Sequence, residues 1–211
     1  MKMRMEICSL VQAVVISALF SWGVAYSQQF TATQETRPTL ELTYDFVRTN
    51  GPPNNCGCIN LNGGGIAYVH PLGGSQFSLV GSVRAGHAGE IGLPGYDLTL
   101  MTYTGGVRYL PRVRSFLIHP YGEIQVGGAH ASGTLAGTPS LAGASIGSAF
   151  AATAGGGINL VLHSRVSFKL IDAEYLATNY ANGSTDHQND LRLSTGLIIS
   201  LCRSNTCATA K

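Results

Sequence analysis

The chain has 211 residues, enough for one all-β domain. Charged residues make up only 11 % of it and glycine occurs 27 times, against roughly 25 % charged and about 7 % glycine in an average soluble protein. The net charge of +2 is spread without a basic run, which argues against a nucleic-acid partner. Beyond residue 27 no stretch approaches the roughly 20 apolar residues that a membrane helix requires.

Residues 1–27 read as a secretory leader. Lys2 and Arg4 supply the positive start, 7–25 are mostly apolar, and Ala25 and Ser27 place small residues at −3 and −1 before Gln28. Cys8 does not sit at such a junction, so no lipoprotein anchor is expected. Export would bring the chain to a compartment where disulfides form. Residues 28–38 are a polar lead-in.

The first predicted strand covers 40–48. Leu40, Leu42, Tyr44 and Phe46 share one face, and Glu41, Thr43 and Asp45 the other. The run Asn50-Gly51-Pro52-Pro53-Asn54-Asn55 forces a loop over 49–60. A second strand spans 61–70, its facing left open by glycines 63–65, and Pro71-Leu72-Gly73-Gly74 makes a tight turn. In the third, 76–87, Phe77, Leu79, Val83 and Ala85 oppose Ser78, Ser82 and Arg84. After a loop at 88–95, the fourth strand (96–110) sets Met101, Tyr103, Val107 and Tyr109 against Thr102, Thr104 and Arg108.

The fifth strand, 116–130, has a clear alternation, with Ile118, Ile124 and Val126 on one side and Tyr121, Glu123 and Gln125 on the other. An uncharged Gly/Ala/Ser/Thr loop follows at 131–148. In the sixth strand, 149–162, Ile158, Leu160 and Leu162 oppose Thr153 and Asn159. The seventh, 166–177, breaks the rule: Lys169 has the opposite parity to Asp172 and Glu174, which requires a bulge or a lysine snorkelling at a boundary. After a polar loop at 178–190, the eighth strand (191–201) sets Leu193, Leu197, Ile199 and Leu201 against Arg192, Ser194 and Ser200.

The connections sort by end. Those at 49–60, 88–95, 131–148 and 178–190 are long, whereas 71–75, 111–115 and 163–165 are short. Strands of about ten to twelve residues suit a tilted membrane crossing. Short turns on one side and longer loops on the other are the pattern of a transmembrane β-barrel, with apolar faces on lipid and polar faces inside. The expected fold is an all-β, eight-stranded, antiparallel up-and-down transmembrane barrel over 39–201, with a tail at 202–211.

With these strands, this asymmetry and the closing run 191–201 (Leu-Arg-Leu-Ser-Thr-Gly-Leu-Ile-Ile-Ser-Leu), the sequence resembles the small eight-stranded outer-membrane barrels of the OmpA transmembrane domain and OmpX type. The resemblance implies a bacterial outer-membrane location, a monomer, outer-membrane lipid and lipopolysaccharide as surroundings, and barrel-assembly machinery as a partner in biogenesis. Two departures stand out. The family usually ends on an aromatic read by that machinery, but here Leu201 takes the position and a tail follows, so the signal is weakened or masked. No peptidoglycan-binding domain follows the barrel, so the wall-anchoring role of full-length OmpA is not implied.

The candidate functional residues are the inward charges Glu41, Asp45, Arg84, Arg108, Glu123, Glu174 and Arg192. An eight-stranded barrel is just wide enough for side chains to fill it, and charges there must pair. They form either a network that plugs the lumen or the gate of a narrow path. His130 and Ser132, at the loop end of the fifth strand, are similar to the His-x-Ser pair of outer-membrane lipid A deacylases, but no Asp or Glu lies between Glu123 and Asp172 to complete a triad. Cys56 and Cys58 lie in the first long loop and Cys202 and Cys207 in the tail. A bilayer core of about 30 Å would separate the pairs, so any disulfides are local. His70, His87, His119, His163 and His187 show no metal-ligand spacing, and no metal or cofactor is expected. The function read from these residues is a structural or surface-contact role, with at most a narrow pore. The alternatives are a lipid-modifying enzyme using His130 and Ser132, and a secreted lipocalin-like barrel.

Overall fold

The chain forms eight strands whose alternation with period 2 is broken once, in β7: β1 (Thr39–Asn50), β2 (Cys58–Pro71), β3 (Phe77–Ala88), β4 (Leu98–Tyr109), β5 (Ile118–Ser132), β6 (Gly147–Val161), β7 (Val166–Thr178) and β8 (Gln188–Ser200). The structure, a computed structural model, describes residues 37–50, 58–73, 75–89, 91, 97–113, 117–133, 147–163, 165–180 and 187–201. The expected leader and tail lie outside these residues, as does most of the 131–148 loop. Each strand pairs antiparallel with the next, and β8 returns to β1, closing a barrel that leaves no sheet edge unpaired. The backbone amide of Leu201 completes the seam by donating to the carbonyl of Pro38 at 2.8 Å.

Following paired inward residues round the barrel leads from Thr39 through Val69, Val80, Gly106, Gln125, Thr153 and Leu176 to Asp190, beside the far end of β1. This stagger of about ten residues tilts the strands and sets a bore that side chains can fill. The connections at 51–57, 89–97, 133–146 and 179–187 lie at one end, and those at 72–76, 110–117 and 162–165 at the other.

The apolar face points outward. Leu42, Ile66, Leu79, Val83, Tyr103, Ile124, Val126, Leu170, Tyr175 and Leu197 are all exposed, while charged and polar side chains are buried within. A contiguous apolar exterior of this extent is far beyond what a water-soluble surface tolerates and is what lipid requires. It disfavours the lipocalin-like alternative.

Three details differ from the sequence expectation or resolve it. At the loop end the strands run further, to Asn50 in β1, Ser132 in β5, and from Cys58, Gly147 and Gln188 in β2, β6 and β8. Their inward residues there still pack on one another, so pairing continues past the last lipid-facing apolar residue. In β2 the odd-numbered residues face inward. Gly65 is needed there, because a Cβ would come within 2.5 Å of the Arg84 side chain and 3.0 Å of Asp45. In β7 the irregularity at Lys169 is a bulge: three steps from Lys169 to Asp172 match two steps on β8, from Gly196 to Ser194. Leu170 and Ile171 then both face out, at 53 % and 48 % exposure, and Lys169 points inward at 0 %. The snorkelling alternative does not apply.

Candidate functional site in the barrel interior

All seven inward charges named from the sequence are buried, together with Lys169 and Asp172. They join into one network. Arg108 donates from Nε to Glu123 Oε2 at 2.7 Å and places both terminal nitrogens on the two oxygens of Glu41. Lys169 Nζ bridges Glu41 Oε2 at 2.7 Å and Asp172 Oδ2 at 3.3 Å. Arg84 continues the chain from Asp172 (3.7 Å) to Glu174 (3.1 Å), with Asp45 (3.3 Å) as a branch. Arg192 closes it, 3.2 Å from Glu174 Oε2 and donating to Thr102 Oγ1 at 3.0 Å. Six of the barrel's strands, β1, β3, β4, β5, β7 and β8, contribute a charge.

Neutral groups extend the network. Gln125 donates to Glu123 at 2.9 Å and its own oxygen accepts from Ser82 and Thr104. Arg84 also donates to Ser194 at 3.0 Å. The guanidinium of Arg108 lies 4.2 Å from the centre of the Tyr121 ring, with Lys169 Nζ on the same ring at 5.1 Å, so cation–π attraction adds to the ion pairs. The physics is that of a shared compensation. A charge taken out of water loses several kcal/mol of hydration, and only multiple well-placed partners recover it. Glu123, Asp172 and Glu174 converge within 4.8 Å, close enough to hold a cation. Each already pairs with an arginine or lysine of the network, which sets five carboxyl groups against four cations.

Toward the long connections the lumen turns apolar. Val47, Ile59, Leu61, Leu100, Ala129, Ala151 and Leu176 form a buried cluster, and Ile91, Leu98 and Tyr180 pack on it. Burial pushes the Tyr180 hydroxyl up to about 12, so it stays un-ionised. A smaller apolar group, Ala67, Val69 and Val80, lies toward the turn end. The larger cluster was not anticipated. Its signal is that Val47, Leu100 and Leu176 carry the parity of the polar face.

His130 and Ser132 lie within β5, on the outward parity of Ile124 and Val126, with His130 exposed. Among the described residues no side-chain hydrogen bond joins them or links either to a carboxylate. Of the five scattered histidines, His70, His87, His163 and His187 are exposed, His119 is half-buried, and they do not converge. Cys56, Cys202 and Cys207 and the side chain of Cys58 fall outside the described residues.

A closed antiparallel register, an apolar exterior and an ionic interior together define the fold of the small eight-stranded outer-membrane β-barrels. Among solved structures the chain is similar to Neisserial surface protein A (NspA), with a TM-score of 0.57 and 13 % identity over 78 % of this chain and 97 % of that one. Ail of Yersinia pestis also matches, with a TM-score of 0.43, 17 % identity, and 77 % and 97 % of the two chains covered. The N-terminal barrel of Pseudomonas aeruginosa OprF gives 0.42 and 14 %, with 77 % and 97 % covered. No family model and no curated protein matches the chain.

Proposed function

We propose that the protein is a monomeric barrel of the bacterial outer membrane whose lumen is sealed, and that it acts as a structural or surface-contact element of the envelope, with no enzymatic activity. The observation that carries this reading is an ion-pair network drawn from six strands inside the bore, backed by an apolar cluster at the loop end. The long connections face the cell exterior in this reading, as the short-turn, long-loop asymmetry favours, and both ends of the barrel strands return to the periplasmic side. The lipid-modifying alternative gains no support from His130 and Ser132, which share an outward face without a carboxylate partner.

Envelope fractionation with gel electrophoresis of heated and unheated samples tests the location and the folded state together. The protein should remain with the outer membrane and shift mobility on heating. Recovery in the soluble fraction, without a shift, would contradict the proposal.

A further inference from the structure

The two rims of the barrel differ in charge. The segments 72–76, 110–117 and 162–165, which join strands at the turn end, contain no Asp or Glu, and the last two contain Arg112, Arg114 and Arg165. The segments 51–57, 89–97, 133–146 and 179–187 contain Glu90, Asp97 and Asp186 and no Lys or Arg. At the turn end Arg112 and Arg165 are exposed, and among the described residues no carboxylate pairs with either. His163 is exposed beside Arg165.

In sequence these cations adjoin exposed aromatic and aliphatic residues at the strand ends. Phe77 and Tyr109 pack with ring centres 5.3 Å apart, both exposed, as the turn-end terminal residues of β3 and β4. Leu162, at 59 % exposure, precedes His163. Aromatic rings at the edge of an apolar belt mark the headgroup level of a bilayer. A guanidinium at that level meets lipid phosphates, for which its planar fork is suited, and its attraction to anionic headgroups is electrostatic and short-ranged.

We infer that the turn-end rim, through Arg112 and Arg165, selects anionic phospholipid headgroups of the periplasmic leaflet. This rests on the orientation proposed above, with the long connections outside. At the opposite end the connections are acidic, and among the described residues a single exposed arginine, Arg48, lies within β1.

The test uses the full barrel reconstituted in phosphatidylcholine bilayers, with spin-labelled phosphatidylglycerol or spin-labelled phosphatidylcholine as probe. Electron paramagnetic resonance reads the motionally restricted, protein-associated fraction of each. Wild type should favour phosphatidylglycerol several-fold. The Arg112→Gln/Arg165→Gln variant, checked for heat-shifted mobility to show that it folds, should bring the ratio close to one. Equal association of both lipids with wild type, or an unchanged ratio in the folded variant, would overturn the inference. The leaflet is tested separately on intact cells after mild reduction, with a membrane-impermeant thiol reagent. Labelling of Cys56 or Cys58 and sparing of Cys202 and Cys207 supports the periplasmic leaflet. Labelling of the tail overturns that assignment even where the lipid preference is measured.

Discussion

Lys169 of β7 and Glu41 of β1 meet inside the barrel, with Nζ 2.7 Å from Oε2 and both side chains out of reach of solvent. β8 lies between their strands, so the contact crosses the bore. It exists because one extra residue in β7 turns Lys169 inward. Lys169 thereby ties the Glu41–Arg108–Glu123 group to the group around Arg84, which Glu123 and Glu174 also bring together.

Replacing Lys169 with methionine should leave Asp172 dependent on Arg84 alone and should cost about 3–5 kcal/mol, the usual penalty for breaking a buried pair. Equilibrium urea unfolding of the refolded barrel measures it. A loss below about 1 kcal/mol, as for an exposed ion pair, would mean that the lysine reaches water.

Inward and outward positions should differ in kind. Arg84→Leu removes the partner of Asp45 and one partner each of Asp172 and Glu174, and should cost about 3–5 kcal/mol. Ile124→Ala, at a side chain 65 % exposed to lipid, should lose only about 1–2 kcal/mol of transfer free energy. Equal losses in the same unfolding titration would reject the facing. Glu123→Ala is a milder probe than its burial suggests, since Arg108 would keep Glu41.

The architecture was legible in the sequence because period 2 is long-lived in β1, β3, β4, β5 and β8 and the connections sort by length. The seven interior charges followed from the same parity. Lys169 and Asp172 could not both be placed, because a bulge reverses parity partway along a strand and leaves no composition signal beyond the conflict itself. The facing of β2 was hidden by Gly63 to Gly65, of which Gly65 leaves room for the Arg84 side chain. The apolar cluster was missed for another reason. Above the ionic band the inward residues are apolar and their outward neighbours, such as Arg48, Asn60, Asn62 and His130, are polar, so polarity no longer marks the lumen.

That cluster should be a stabilising part of the barrel. Leu61→Ala and Leu176→Ala each leave a cavity in a fully buried group and should cost about 2–5 kcal/mol. Urea unfolding checks this too, and losses near zero would mean that the loop end of the bore is loosely filled.

The outward, unpartnered placement of His130 and Ser132 predicts no lipid chemistry. Mass spectrometry of outer-membrane lipid from cells with wild type, the His130→Ala/Ser132→Ala variant or no protein should give identical spectra. Loss of an acyl chain seen only with wild type would establish the enzyme, since nucleophile and base act as a unit.

The sealed lumen is tested most directly by conductance. Purified, refolded protein inserted into a planar lipid bilayer in concentrated potassium chloride should give no steady unitary current at moderate voltage if the ion-pair network and the apolar cluster seal the bore as proposed. A reproducible, sustained channel conductance from the folded, heat-shifted form would contradict the account.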